Sequence, residues 1–291
     1  MMERASHNRT PDEPVLRVSF AGCLCSELVK LGGLISTWVF MGVIVAGLPL
    51  VAMLVAAAAL LGRWLLGVGA SAASSFAVMF WMYLGATLGD FVVVVGVFGV
   101  LSITAEYTMR SIQSTLIAVP RRGMLIGAKV AALAVYVMTA SFVGIFLGVV
   151  VALLMSGGFG FLAVPSEAAV VPFVAVLGGP IALAMVSLIA WGLGAICRST
   201  LGGVLSFIFL FSILPTIVGI GAMVVGANST MVVADAWLPS RAFITFLTGV
   251  SADLPISSAV VNRWQGGLIL MMWTACVLVA AGVAMSRSNV T

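Results

Sequence analysis

The chain has 291 residues, of which 63% are hydrophobic and 8% charged, and its formal net charge is +4. A mean hydropathy of +1.27, built from apolar runs long enough to cross a bilayer, excludes a water-soluble domain. A transmembrane β-barrel is excluded too, because stretches such as FVVVVGVFGV (residues 91–100) do not alternate apolar with polar as barrel strands must.

The sequence therefore reads as one transmembrane domain over residues 1–291, an all-α integral membrane protein. Residues 1–33 are taken as a cytoplasmic tail and interfacial helix. No cleavable leader is expected here, because the first 30 residues are polar and the apolar run that follows is longer than the roughly 7–15 residues of a signal core. Within it, Val15 to Leu31 is amphipathic, with Arg17, Ser26, Glu27 and Lys30 interrupting apolar positions, which suits a helix lying in the membrane interface. Six apolar runs follow, each matching the roughly 30 Å of a hydrocarbon core: about Leu34–Leu61, Phe76–Thr104, Leu125–Met155, Val170–Cys197, Leu201–Ala227 and Gly266–Met285.

Six spans put both termini on one side. If that side is the cytoplasm, Arg4, Arg9, Arg17, Lys30, Arg110, Arg121, Arg122, Lys129, Arg198 and Arg287 lie inside, and Arg63, Arg241 and Arg263 lie outside. Such a bias is the one that orients membrane proteins, and it puts the N- and C-termini in the cytoplasm; the expected location is the cell's inner (cytoplasmic) membrane. Trp64, Trp81 and Tyr83 then fall at the outer interface, where amphipathic rings prefer to lie.

Asp90 stands near the middle of the second run. A carboxylate there costs about 2.5–3.5 kcal/mol on insertion scales. It needs a proton, a cavity or a hydrogen-bond donor, so it is either a pathway residue or an interhelical bond to a Ser or Thr. No Lys, Arg or His stands at mid-span to pair with it, which disfavours an ion-coupled carrier with several buried titratable groups. Gly85-x-x-x-Gly89 and Gly144-x-x-x-Gly148 allow close helix approach.

Between the second and third runs, residues 105–124 form a basic, Pro-broken segment. Four of the 13 basic residues (Arg110, Arg121, Arg122 and Lys129) fall between Glu106 and Lys129, against one acid. On a helix from about Tyr107 to Ala118, Ile112, Thr115 and Leu116 share a face, Glu106 can pair with Arg110 four residues on, and Pro120 ends the helix. Arg121, Arg122 and Lys129 suit either anionic lipid heads or a protein partner. Further on, Pro172, Pro180 and Pro215 should bend the fourth and fifth spans. The external segment 228–265 contains Trp237, Phe243, Phe246 and Trp264, too apolar for a plain loop.

Missing residues limit the chemistry. The single histidine, His7, lies in the polar tail, which leaves no bis-His haem site, His-metal site or Ser/His hydrolase inside the membrane. Cys23, Cys25, Cys197 and Cys276 lack metal-ligand spacing and read as small apolar residues. Lys30 and Lys129 are followed by Leu31 and Val130, so neither completes a phosphate-binding G-x-x-x-x-G-K-[ST] loop. No enzymatic activity and no cofactor is expected in this chain, and nothing in it suggests nucleic-acid binding.

Three islands resemble the type 2 ATP-binding-cassette exporter permeases, the transmembrane subunits of bacterial drug, antibiotic and polysaccharide exporters. Glu106, Tyr107, Ile112, Thr115, Leu116, Pro120, Arg122, Ala128 and Lys129 match the family's segment between spans two and three. Ser26-Glu27-Leu28-x-Lys30-Leu31 with Ser36-Thr37-Trp38 resembles its S-E-W-x-K-L and S-T-W before span one, and Leu238-Pro239-Ser240 resembles a motif of the last external loop. Thr108, Met109, Gln113, Gly32, Gly33 and Ile35 depart from the family pattern.

The resemblance implies a coupling helix at 105–124, with Glu106, Arg110, Ile112, Thr115, Leu116, Pro120, Arg121, Arg122 and Lys129 at the ATPase contact. It also implies a connecting helix carrying Glu27 and Lys30, and an external segment that re-enters the outer leaflet before span six. Partners would be a cytosolic ATP-binding-cassette ATPase that holds ATP and Mg, a second permease copy or homologue completing a dimeric pore, and membrane lipid. Amphipathic or hydrophobic cargo fits the uniformly apolar spans. The alternatives are a non-transporting membrane anchor or immunity-type component that recruits an ATPase, or an ion-coupled carrier.

Overall fold

A computed structural model describes residues 19–66, 73–108, 122–156, 164–225, 230–249 and 261–287. Among the described residues there is no strand, and six helices are long and apolar enough to cross a membrane. They are Ile35–Gly62, Phe80–Tyr107, Gly123–Met155, Val170–Cys197, Thr200–Val225 and Arg263–Met285, here spans 1 to 6. The described residues are thus those of a helical, multi-pass membrane protein, as the run lengths require, since hydrocarbon offers the backbone no partner outside its own helix.

A shorter helix, Phe20–Gly32, precedes span 1. It begins with the Ser19 hydroxyl accepting from the Gly22 N–H and ends where the Trp38 indole donates to the Gly32 carbonyl at 2.8 Å. Its buried stripe is Cys23, Glu27 and Leu31, four residues apart and facing span 3. The acidic residue lies on this protected stripe, packed on protein, while Val29 is exposed on the opposite side.

Span 4 lies at the centre and packs against spans 2, 3, 5 and 6. Its buried face is built largely of small residues: Gly179, Ala182, Ala184, Ser187, Ala190, Gly192, Gly194 and Ala195. In a bilayer helices gain little by hiding apolar surface from lipid, so close backbone approach must supply van der Waals contact. A Cβ on Gly99 of span 2 would fall 2.2 Å from the Ser187 carbonyl oxygen, and one on Gly203 of span 5 would fall 2.9 Å from the Gly194 Cα. The two glycine pairs anticipated from sequence also sit at crossings. Gly144 and Gly148 face the Ile44–Ala52 stretch of span 1, whereas Gly85 and Gly89 face Leu247 and Ile244.

Spans 4 and 5 each contain a π turn, Val174–Gly178 and Phe209–Ile213, just before Pro180 and Pro215. The carbonyl four residues before each proline, at Val176 and Phe211, lies in that wider turn, which gives the ring room. Span 1 carries Pro49 inside its helix as well. Span 2 is divided by a 3₁₀ turn, Leu88–Phe91.

The segment before span 6 folds as two helices, Thr230–Ala236 and Pro239–Thr248, with Pro239 in the first turn and Gly249 in the left-handed conformation that stops the second. Arg241 pairs with Asp235 at 3.1 Å, and Arg263 donates to the Thr248 carbonyl at 3.0 Å. The second helix buries Ala242, Phe243 and Leu247 and packs against span 6 and the first part of span 2. One interfacial assignment changes here. Trp64 and Tyr83 are exposed, but Trp81 is buried and meets Phe80 edge-on at 5.5 Å.

The glycine contacts give a direct test of the bundle. Gly99→Ala should cost about 1–3 kcal/mol, the range for overpacking a close contact, because the clash is with backbone at Ser187. Gly282→Ala, with nothing within 4 Å, should leave stability unchanged. Thermal unfolding of the two variants in one detergent compares them.

Candidate functional site

Glu27 and Lys30 stand one turn apart on the helix Phe20–Gly32, Glu106 lies in the last turn of span 2's helix, and Lys129 lies in the second turn of span 3's helix. The fold brings all four together. The Lys129 ammonium donates to both carboxylate oxygens of Glu27 at 2.9 Å and to Oε1 of Glu106 at 2.5 Å. The same Oε1 accepts from Lys30. The order is therefore Lys30, Glu106, Lys129, Glu27, alternating in sign and neutral in sum.

Burial makes this arrangement mechanically significant. Glu27, Glu106 and Lys129 are 4%, 6% and 7% exposed, so none has water to fall back on. Removing one member of such a set leaves an uncompensated charge, a loss of about 3–5 kcal/mol in comparable buried pairs. Among the described residues Oε2 of Glu106 is buried and meets no donor. The Tyr136 hydroxyl, two turns beyond Lys129, donates to the Leu28 carbonyl at 2.9 Å. It leaves no room for a side chain at Gly32, where a Cβ would lie 2.7 Å from it.

Lys30 sits at the rim, its side chain 36% exposed. Burial lowers its pKa, but the hydrogen bond to Glu106 and the attraction of Glu106 and Glu27 outweigh that, and the net shift is upward.

The same end of the bundle also holds the turn between spans 4 and 5. Arg198 adopts a left-handed conformation, φ 51°, that ends span 4, and its guanidinium donates to the Ala284 carbonyl of span 6 at 3.0 Å. The Tyr107 hydroxyl reaches the Ala195 carbonyl at 3.5 Å.

The other sequence-derived site residues divide as follows. Arg110, Ile112, Thr115, Leu116, Pro120 and Arg121 lie outside the described residues, and Arg122 opens the span 3 helix. Tyr107 and Thr108 belong to the helix Val92–Thr108 of span 2 rather than starting a new one. Glu106 is engaged by Lys30 and Lys129; Arg110, which the sequence suggested as its partner, lies outside the described residues. Asp90 falls in the 3₁₀ turn of span 2, is exposed on the outside of the bundle, and makes no hydrogen bond or ion pair among the described residues. The interhelical bond to a Ser or Thr expected as one option is not made. The four cysteines are free thiols, with Cys23 buried and the others exposed.

Tyr136 was not foreseen, because a tyrosine in an apolar run gives no sign of which helix its hydroxyl meets. The pairing of Glu27 with Lys129 spans 102 residues and has no local signature either. Yet the two islands that resemble the exporter permeases, 26–31 and 106–129, supply all four charges of the cluster. In comparisons with known proteins, no family model, curated protein or solved structure matches the chain.

Cys23 reports whether the cluster holds. At neutral pH a maleimide should label Cys25 quickly and Cys23 slowly, and Lys129→Ala should speed Cys23 labelling by roughly tenfold or more as the N-terminal helix opens. Lys30→Ala should change it less, since that ammonium is partly hydrated. The raised pKa of Lys30 sets a pH dependence. Its contribution is fully present below the ordinary lysine value of 10.5 and is lost as pH rises through the higher folded value. Protection of Cys23 in the wild type should therefore be flat from pH 6 to 10 and fall only beyond.

Proposed function

We propose that this chain is the permease subunit of an ATP-driven exporter in the cell's inner membrane. It forms half of a dimeric translocation pore and is driven by a separate cytosolic ATPase that holds ATP and Mg. The reading rests on the ionic cluster. Glu106 and Lys129 flank residues 109–121 on either side, and both are bound to the N-terminal helix through Glu27 and Lys30. A push on residues 109–121 would then reach three helices as one unit, because pulling any of them away strands a buried charge. A device that converts closure of an ATPase into movement of spans needs such a junction. The resemblance of residues 106–129 to the coupling segment of type 2 exporter permeases agrees with it.

In this reading both termini are cytoplasmic and the segment 105–124 is the coupling element that docks on the ATPase. The helices of 228–265 re-enter the outer leaflet. The contact of Pro239–Thr248 with Gly85 and Gly89 of span 2 supports re-entry, since non-spanning backbone survives at membrane depth only when packed on protein. Cargo is amphipathic or hydrophobic.

Leu116→Asp and Arg121→Ala test the coupling segment. A charge in an apolar docking face must be desolvated, whereas a rim cation stays hydrated. Leu116→Asp should reduce the ATPase retained on the purified chain, and the ATP-dependent export, by roughly tenfold or more. Arg121→Ala should stay near wild type, and the chain freed of its partner should hydrolyse no ATP. Wild-type behaviour of Leu116→Asp would sink the assignment. Retained ATPase without export would favour the anchor reading, and export that follows an ion gradient without ATP would favour the carrier.

A further inference from the structure

The three other carboxylates with described side chains, Glu27, Glu106 and Asp235, are all ion-paired. Asp90 is not, and it is the one charged residue away from the ends of the six spans. It stands ten residues after Phe80, the start of span 2, which places it about 15 Å along the helix, well inside a roughly 30 Å hydrocarbon core. The residue is exposed. This is a costly place to leave a carboxylate without a partner.

A second copy of the chain cannot supply the missing cation. Rotation about an axis along the membrane normal keeps every residue at its own depth, and no span has a Lys, Arg or His at mid-depth. Two copies facing each other through span 2 would bring two carboxylates together, with nothing from the protein to neutralise them. What neutralises it is then either a bound proton or a cation from outside the protein.

The neighbouring surface narrows its chemistry. Tyr83, 55% exposed, lies seven residues before Asp90, on the same side of the helix. Val93, also exposed, follows within a turn. One carboxylate with an aromatic face and aliphatic flanks is too poor in oxygen ligands for a hard metal ion. It suits a weakly hydrated organic cation, which gains both ionic and cation–π attraction.

We propose that Asp90, assisted by Tyr83, is the recognition point for the positively charged head of an amphipathic cargo within the membrane. The proposal rests on the exporter reading and narrows its cargo to cationic amphiphiles.

Tetraphenylphosphonium and tetraphenylborate, lipophilic ions of matched shape and opposite charge, provide the test. Binding of each is measured on the purified full chain in nanodiscs, with empty discs subtracted. Tetraphenylphosphonium should bind saturably and tetraphenylborate should not. Asp90→Asn should weaken phosphonium binding by roughly tenfold and Asp90→Glu should retain it, because the charge and not the shape carries the attraction. Tyr83→Leu, at an exposed position that folding does not need, should weaken it by about threefold and serves if Asp90→Asn does not accumulate. Equal binding of the two ions would overturn the proposal. So would an Asp90→Asn variant that binds phosphonium like wild type, whether it remains dimeric or becomes monomeric. No ATPase takes part in this assay, so its failure removes the recognition point alone, while failure of the exporter reading appears in the Leu116 variant.

Discussion

A bilayer gives apolar helices almost no reason to leave lipid for each other, and this constraint governs the whole arrangement. Association has to come from backbone approach close enough to collect dispersion contacts, or from polar groups that hydrocarbon refuses to solvate. Span 4 uses the first route. Its run of Gly, Ala and Ser lets span 2 come within contact of the Ser187 carbonyl at Gly99 and lets span 5 meet it at Gly203 and Gly194. Once span 4 is fixed, the partners of the other spans follow from which of their faces carry small residues. Span 1 meets span 3 at Gly144 and Gly148 for the same reason.

The ionic cluster uses the second route, at the end of the bundle where the membrane interface begins. Four charges from three helices would be expensive singly and are stable only as a set, because every ammonium faces a carboxylate and the sum is zero. Such an arrangement has few intermediate states. It is assembled with the N-terminal helix seated on span 3, or it is open with buried charges released to water. In the proposed exporter such a junction at the foot of two spans would serve mechanical coupling, where a uniformly apolar contact would slide. The Tyr136 bond to Leu28 adds direction to the same seat.

Polar and conformational irregularities elsewhere follow from local chemistry. The π turns before Pro180 and Pro215 absorb the missing amide and the ring clash without unravelling the spans. The helices between spans 5 and 6 bury aromatic and aliphatic side chains and tie down their charges through Arg241 with Asp235 and Arg263 with Thr248. Among the carboxylates with described side chains, Asp90 is the one without an ion pair, in the 3₁₀ turn that interrupts span 2.

The number of spans and their limits to within a few residues were legible from composition and run length, because hydrocarbon thickness and backbone satisfaction act on each segment alone. The glycine pairs were legible too, and so were the prolines as sites of irregularity. The four charges of the cluster could be named from sequence, but in two separate segments and with no sign that they meet. The fold joins Glu106 to Lys30 across 76 residues and Lys129 to Glu27 across 102. Trp81, expected at an interface, lies in the interior. Segment length and local irregularity are properties of one stretch of chain. Which faces meet is decided by shape complementarity between helices distant in sequence, and so the pairing of buried charges appears only in the tertiary structure.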